Sequence, residues 1–281
     1  MDRFPVRRPA VAGLFYPDSP DRMRAELARL IKDVVPKAPA RAVVVPHAGW
    51  RYSGRVAGEV YGRVKVPRLA VILGPNHTGL GPRGSVMARG RWALPGGEVA
   101  VGEELARAIL DGSRVLAEDE LAHAREHAVE VQLPFLLRLR PEIAVVPITL
   151  MGSDLGFCQE VGHAVADAVA SSGEPVLLVC STDLNHYEPQ AVSNRKDRLA
   201  IDAMLTLEPE RLHATLREHR VSMCGVAPAV ALLAALRELG PAGAELVRYE
   251  TSGDVSGDYD RVVGYAGIII IDEPARPAVT S

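Results

Sequence analysis

Five runs of the chain are almost wholly apolar: AVVVP (42–46), LAVILG (69–74), IAVVPITL (143–150), PVLLVCS (175–181) and VVGYAGIIII (262–271). None alternates apolar with polar, as a strand with one wet face would. Their Val, Ile and Leu content predicts strands buried on both faces. Between them the spacing of apolar positions becomes that of a helix. Ser19-Pro20 opens one such pattern, with Ser as N-cap and Pro at the first helical position, running to about Val34. Others span 102–111, 126–139, 154–171, 194–206, 208–219 and 225–239. Strands separated by helices predict a single open α/β sheet with helices on both faces. The segment 79–101, rich in Gly and Pro, reads as a loop or small β-excursion, and the tail from Glu273 is expected to fray. No internal repeat or composition break marks a linker, so residues 1–281 are read as one domain.

Composition narrows the class. With 281 residues, 48% hydrophobic and 24% charged, the chain can bury a substantial core. A net charge of −3 and the lack of any basic run give no electrostatic support to a nucleic-acid or membrane-surface role. The opening MDRFPVRRPAVAG lacks the apolar core of a signal peptide, and the most apolar helical stretch, 227–239, is too short to cross a bilayer. Cys158, Cys180 and Cys224 have unrelated spacings, which suit neither a disulfide framework nor a CxxC site. A reduced cytoplasmic enzyme or binding protein is the expectation.

Candidate chemistry gathers at strand ends. His47 follows 42–46, His77 lies just beyond 69–74, and His186 comes a few residues after 175–181, with Asp183 on the same turn. Ligands of open α/β sheets bind outside the carboxyl ends of the strands. One histidine after a strand is commonly a loop residue bonded to a carbonyl, whereas three in equivalent positions point to a shared site. His123, His163, His213 and His219 lie on or beside helices and are read as surface or satisfied residues. In EHAVEVQLP, His127 and Glu130 are three apart on one expected helical face, so both are site candidates, although a helix-start hydrogen bond explains them equally. Cys158 and Cys180 read as core residues. Cys224 precedes the helix 225–239, where free amides and the helix dipole should favour the thiolate. Two motif matches are set aside. Gly79 to Gly84 fits G-x-G-x-x-G but runs through a proline into a strand-like segment, with no helix to receive a pyrophosphate. DVSGDYD (254–260) has Tyr259 where a calcium loop needs Gly.

Taken together, PHAGWRYSG (46–54), LGPNH (73–77), EHAVEVQLPFL (126–136), STDLNHY (181–187), MCG (223–225) and VVGYAG (262–267) resemble the Memo family. Its prokaryotic members are labelled protein B of the AmmeMemoRadiSam system. The family is similar in fold to the LigB-like catalytic subunits of class III extradiol dioxygenases, which are non-haem iron enzymes. The resemblance implies a three-layer α/β/α sandwich around a mainly parallel or mixed sheet. It implies a metal site at His47, His77 and Cys224, with Asp183 and His186 lining the same pocket and His186 in the place of an acid/base. A radical-SAM protein and an AMMECR1-like protein are the partners it suggests. On this reading Pro46 ends ladder pairing and His47 is presented from a rigid strand end.

Related ring-opening dioxygenases hold Fe(II) with two histidines and a carboxylate; a thiolate third ligand is softer and favours copper(I), zinc or a differently tuned iron. The leading expectation is therefore an iron- or copper-dependent, oxygenase- or oxidase-like enzyme acting on a small-molecule or peptide substrate. The alternatives are a non-catalytic peptide- or partner-binding protein and a zinc-dependent hydrolase with His186 or Glu130 as general base. Cys224, as the thiolate-prone cysteine, is expected to be alkylated faster than Cys158 or Cys180.

Overall fold

The apolar runs do become buried strands, and the chain threads them into one large mixed sheet. A computed structural model describes residues 5–272; the tail from Glu273 lies outside the described residues. In chain order the strands are β1 (Val6–Arg7), β2 (Ala40–Val45), β3 (Leu69–Pro75), β4 (Gly84–Val86), β5 (Arg91–Leu94) and β6 (Gly97–Val101), followed by β7 (Ala117–Glu118), β8 (Ala144–Leu150), β9 (Val176–Ser181), β10 (His186–Glu188), β11 (Ala242–Thr251) and β12 (Val262–Asp272). The helices are α1 (Pro20–Leu30), α2 (Trp50–Arg63), α3 (Glu103–Asp111), α4 (Leu133–Leu139), α5 (Leu155–Ser171), α6 (Gln190–Leu205), α7 (Pro209–Glu218), α8 (Val226–Leu239) and α9 (Gly253–Ser256).

The main strand order is β1-β5-β6-β8-β3-β9-β2-β12-β10, with β11 on the other edge of β12 and β4 and β7 off the main path. Strands β8, β3, β9 and β2 run parallel to one another, so their carboxyl ends share one edge. Strand β12 is antiparallel to β2, which brings its first residues to that same edge. Helices α3, α5, α7 and α8 pack among themselves and on the central strands, while α1, α2 and α4 cluster on the other side, completing the three layers. No helix among the described residues is long and apolar enough to cross a membrane.

Three elements differ from the sequence expectation. Helix α2 is not among the helical patterns expected from the sequence, and it carries Gly54, Gly58 and Gly62. They form a stripe at four-residue spacing that lets α2 lie against the end of α1. A Cβ on Gly58 would sit 2.3 Å from the Leu30 carbonyl oxygen, and one on Gly62 would sit 2.2 Å from that of Lys32. Strand β11 was missed because its residues are half-buried and mixed in character. The helix expected over 126–139 is a turn at 126–129, a 3-10 segment at Glu130–Gln132 and then α4.

Substituting Gly58→Ala should force α1 away from α2 and lower stability by about 1–3 kcal/mol, the usual range for overpacking. Gly156→Ala on α5, where the nearest atom lies 3.6 Å from the new Cβ, should be neutral or mildly stabilising. Denaturant titration of the two variants checks both outcomes.

Candidate metal centre

At the shared carboxyl edge the turns after β2, β3 and β9 meet the start of α8. They enclose a cavity of about 510 Å³ lined by Phe15, His47, His77, His127, Asp183, His186, Cys224, Tyr265 and their neighbours. Six of the seven expected site residues therefore face one space. Residue His47 is 1% exposed, directly after β2. Its amide donates to Asp183 Oδ1 (2.8 Å), its Nδ1 lies 3.0 Å from Ser181 Oγ, and its Nε2 lies 3.3 Å from Cys224 Sγ. The Asp183 amide donates to that sulfur at 3.2 Å.

The ring of His77 is oriented by Glu126, a residue that sequence reasoning passed over. The Glu126 carboxylate accepts from the amides of His77, His127 and Ala128 and lies 2.9 Å from His77 Nδ1. Burial would raise its pKa, but these hydrogen bonds and the neighbouring imidazoles outweigh it and hold the carboxyl at about 2. An ionised carboxylate can only accept, so His77 Nδ1 carries the proton and Nε2 presents its lone pair. Such a carboxylate behind a histidine is the usual partner of a metal-binding imidazole. The signal available in the sequence was the acid immediately before His127; what hid it was the assumption that 126–139 is helical throughout.

One donor atom each from His47, His77 and Cys224 lie within 4.8 Å of one another. Atoms bound tetrahedrally at about 2.0–2.3 Å from one ion would sit roughly 3.3–3.8 Å apart, so the observed set fits a metal with little movement. Two imidazoles and one thiol suit iron, copper or zinc rather than magnesium or calcium.

Burial, reinforced by repulsion from His77, pushes His47 down to about 3; burial and then His47 push His127 down to about 4. Both rings are thus neutral near pH 7. The ring of His127 stacks on that of His77 (centroids 4.5 Å apart) and meets His47 edge-on at 5.3 Å. On the opposite wall His186 Nδ1 lies 2.9 Å from the Ser222 carbonyl oxygen. A carbonyl only accepts, so Nδ1 carries a proton and Nε2 is the nitrogen not committed to Ser222. Burial raises the pKa of Asp183.

Two expectations are corrected. The carboxylate of Glu130 does not share a face with His127 and does not reach the cavity. It is fully buried behind the site, paired with Arg7 and accepting from the amides of Ala10 and Val11 and the hydroxyl of Tyr16. Its oxygens are committed, which removes it as a general base. The second correction concerns Cys224. Burial, then the Asp183 carboxylate, push its thiol up to about 12, outweighing the hydrogen bonds to the sulfur. Without metal it is a neutral thiol, so the expected thiolate preference does not hold, while its partial exposure still sets it apart from the fully buried Cys158 and Cys180. Burial also raises the thiols of Cys158 and Cys180, both in the core. Of the histidines read as surface or satisfied, His213 bonds the Ser153 carbonyl and His163 pairs with Glu238, whereas His123 is fully buried with neither ring nitrogen hydrogen-bonded.

The Memo-like protein family profile matches residues 7–269. The chain belongs to the Memo family. It is 39% identical over 277 residues to a MEMO1 family protein of Methanopyrus kandleri, covering 94% of this chain and 98% of that one. It is 40% identical over 267 residues to one from Methanosarcina barkeri (94% and 100% covered) and 39% identical over 269 residues to one from Aquifex aeolicus (95% and 99%). The fold is similar to that of an uncharacterized protein from Escherichia coli K12, with TM-score 0.56 and 13% identity over 82% of this chain and 98% of that one.

Two outcomes follow for this Memo family site. Glu126→Gln, which replaces the carboxylate behind His77 with a neutral amide, should weaken metal affinity by about 10–100-fold, measured by competition with a chromophoric chelator. Binding must also displace the Cys224 proton. With the thiol raised to about 12, affinity should climb by about tenfold per pH unit from pH 6 to 8, a dependence that Cys224→Ser removes. Calorimetry in buffers of different ionisation enthalpy counts the released proton.

Proposed function

We propose that the protein is a metal-dependent oxidoreductase that holds one iron or copper ion through His47, His77 and Cys224 and acts on a small-molecule or peptide substrate in the cavity. The observation that carries this reading is the convergence of two imidazoles and a thiol, with Glu126 committing His77 Nδ1 and so aiming Nε2 at the ligand space. The ion would supply electron transfer at a soft donor set. The chain's own residues supply the rest. The Nε2 of His186, its Nδ1 held by Ser222, can exchange a proton with a substrate group, and neutral His127 can take one from another. Residues Phe15, Val263 and Tyr265 exclude water from part of the cavity, while exposed Tyr187 leaves its mouth open to a bulky substrate.

Zinc-dependent hydrolysis is less well supported, because Glu130, one of its two candidate bases, is sequestered by Arg7. A purely partner-binding role is less well supported, because it gives no reason for Glu126, beyond capping backbone amides, to hold His77 Nδ1.

Anaerobic purification followed by elemental analysis tests the reading. Stoichiometric iron or copper should be present, and His47→Ala, His77→Ala and Cys224→Ser should each lose most of it while remaining folded by circular dichroism. Wild-type protein that retains no stoichiometric metal after loading overturns the proposal, and exclusive retention of zinc redirects it to hydrolysis.

A further inference from the structure

Beneath His47 a buried polar chain runs through the core: Tyr61, Gln132, Ser181 and the carbonyls of Pro46 and Ala128. Residues Tyr61, Gln132 and Ser181 are fully buried and do not line the cavity. The family resemblance and the metal site leave these polar groups unexplained, and burying them is costly unless each proton has a fixed destination.

The destinations can be worked out from what each atom is able to do. Gln132 Nε2 lies 2.9 Å from the Pro46 carbonyl oxygen, which only accepts, so this end of the side chain is the amide nitrogen. Its Oε1 then accepts from the Tyr61 hydroxyl at 3.1 Å. The second amide proton of Gln132 points at Ser181 Oγ, 2.9 Å away. The one proton of Ser181 goes to the Ala128 carbonyl at 2.7 Å, another atom that only accepts. What Ser181 Oγ offers His47 Nδ1, 3.0 Å away, is a lone pair. A hydroxyl oxygen that donates once and accepts twice is fully used, so Nδ1 has to be the donor.

We propose that Ser181 and Gln132 are positioning residues that lock His47 in its Nδ1–H tautomer, so that the Nε2 lone pair faces Cys224 and the cavity. Serine supplies the acceptor; glutamine, anchored by Pro46 and Tyr61, keeps the serine proton directed away from the imidazole. This deepens the metal-site reading, on which its functional value rests, but the tautomer itself belongs to the metal-free protein.

Long-range 1H–15N correlation spectra of the metal-free chain, with His47→Gln used to assign the resonance, read the tautomer directly. Wild type should show His47 as Nδ1–H. Ser181→Ala removes the acceptor and should bring in the Nε2–H form; Gln132→Met frees the serine proton to turn toward His47 and should do the same. Ser181→Thr, which keeps the hydroxyl, should restore the wild-type spectrum. Metal affinity should follow the tautomer, falling about 10–100-fold in Ser181→Ala and recovering in Ser181→Thr. A wild-type Nε2–H signal, or Nδ1–H persisting in both Ser181→Ala and Gln132→Met, overturns the lock. A correct tautomer series in a protein that takes up no metal would leave the lock standing and sink the metal-site reading instead.

Discussion

A neutral imidazole has two nitrogens and one proton, and this site depends on where that proton is kept. Residues His47, His77 and His186 all meet the structure with Nδ1 against a fixed partner: Ser181, Glu126 and the Ser222 carbonyl. Each partner is itself held by backbone or buried side-chain groups, so ring orientation and lone-pair direction are set before any ligand arrives. The parallel strands supply the other half of the constraint. Because β2, β3 and β9 are adjacent and codirectional, residues far apart in the chain arrive at one edge without any loop having to reach.

Behind the centre a second buried polar cluster fastens the chain's beginning to the same turn. The guanidinium of Arg7 reaches the carbonyls of His123 and Glu126 as well as Glu130, and lies over the Trp92 ring. Residue Glu130 in turn receives the amides of Ala10 and Val11. A buried ion pair contributes little net stability, yet removing either partner strands the other at a cost of about 3–5 kcal/mol. Here the pair joins residues 7–16, which deliver Phe15 to the cavity, to the turn that carries Glu126 and His127. The carboxylate that looked like a catalytic base thus ties two segments of the wall together.

Much of this was legible in the sequence because continuous apolar runs and histidines at their ends are local signals. The five main strands, most helices and the convergence of His47, His77, Asp183, His186 and Cys224 came from them together with the family resemblance. What escaped was set by long-range contact. Helix α2 went unread because the role of its glycines shows only once the carbonyls of Leu30 and Lys32 are seen pressed against them. The acid at 126 is no more conspicuous than the one at 130 until the chain turns between them, sending one carboxylate to His77 and the other to Arg7. The thiol of Cys224 looked activated because a helix begins after it, whereas the loss of solvent and then the Asp183 carboxylate raise it.

The antiparallel course of β12 divides the labour around the cavity. The metal-ligand candidates stand at the ends of β2 and β3 and before α8, whereas Val263 and Tyr265 belong to a strand entering from the opposite direction, after the connection 252–261. Phe15 comes from a separate N-terminal loop. The three candidate donor atoms and the aromatic and apolar wall facing them are therefore encoded in separable stretches of chain. A change in the wall at Phe15 or in 252–265 need not disturb the register of the three donor atoms, which is fixed by the strand ends and the start of α8.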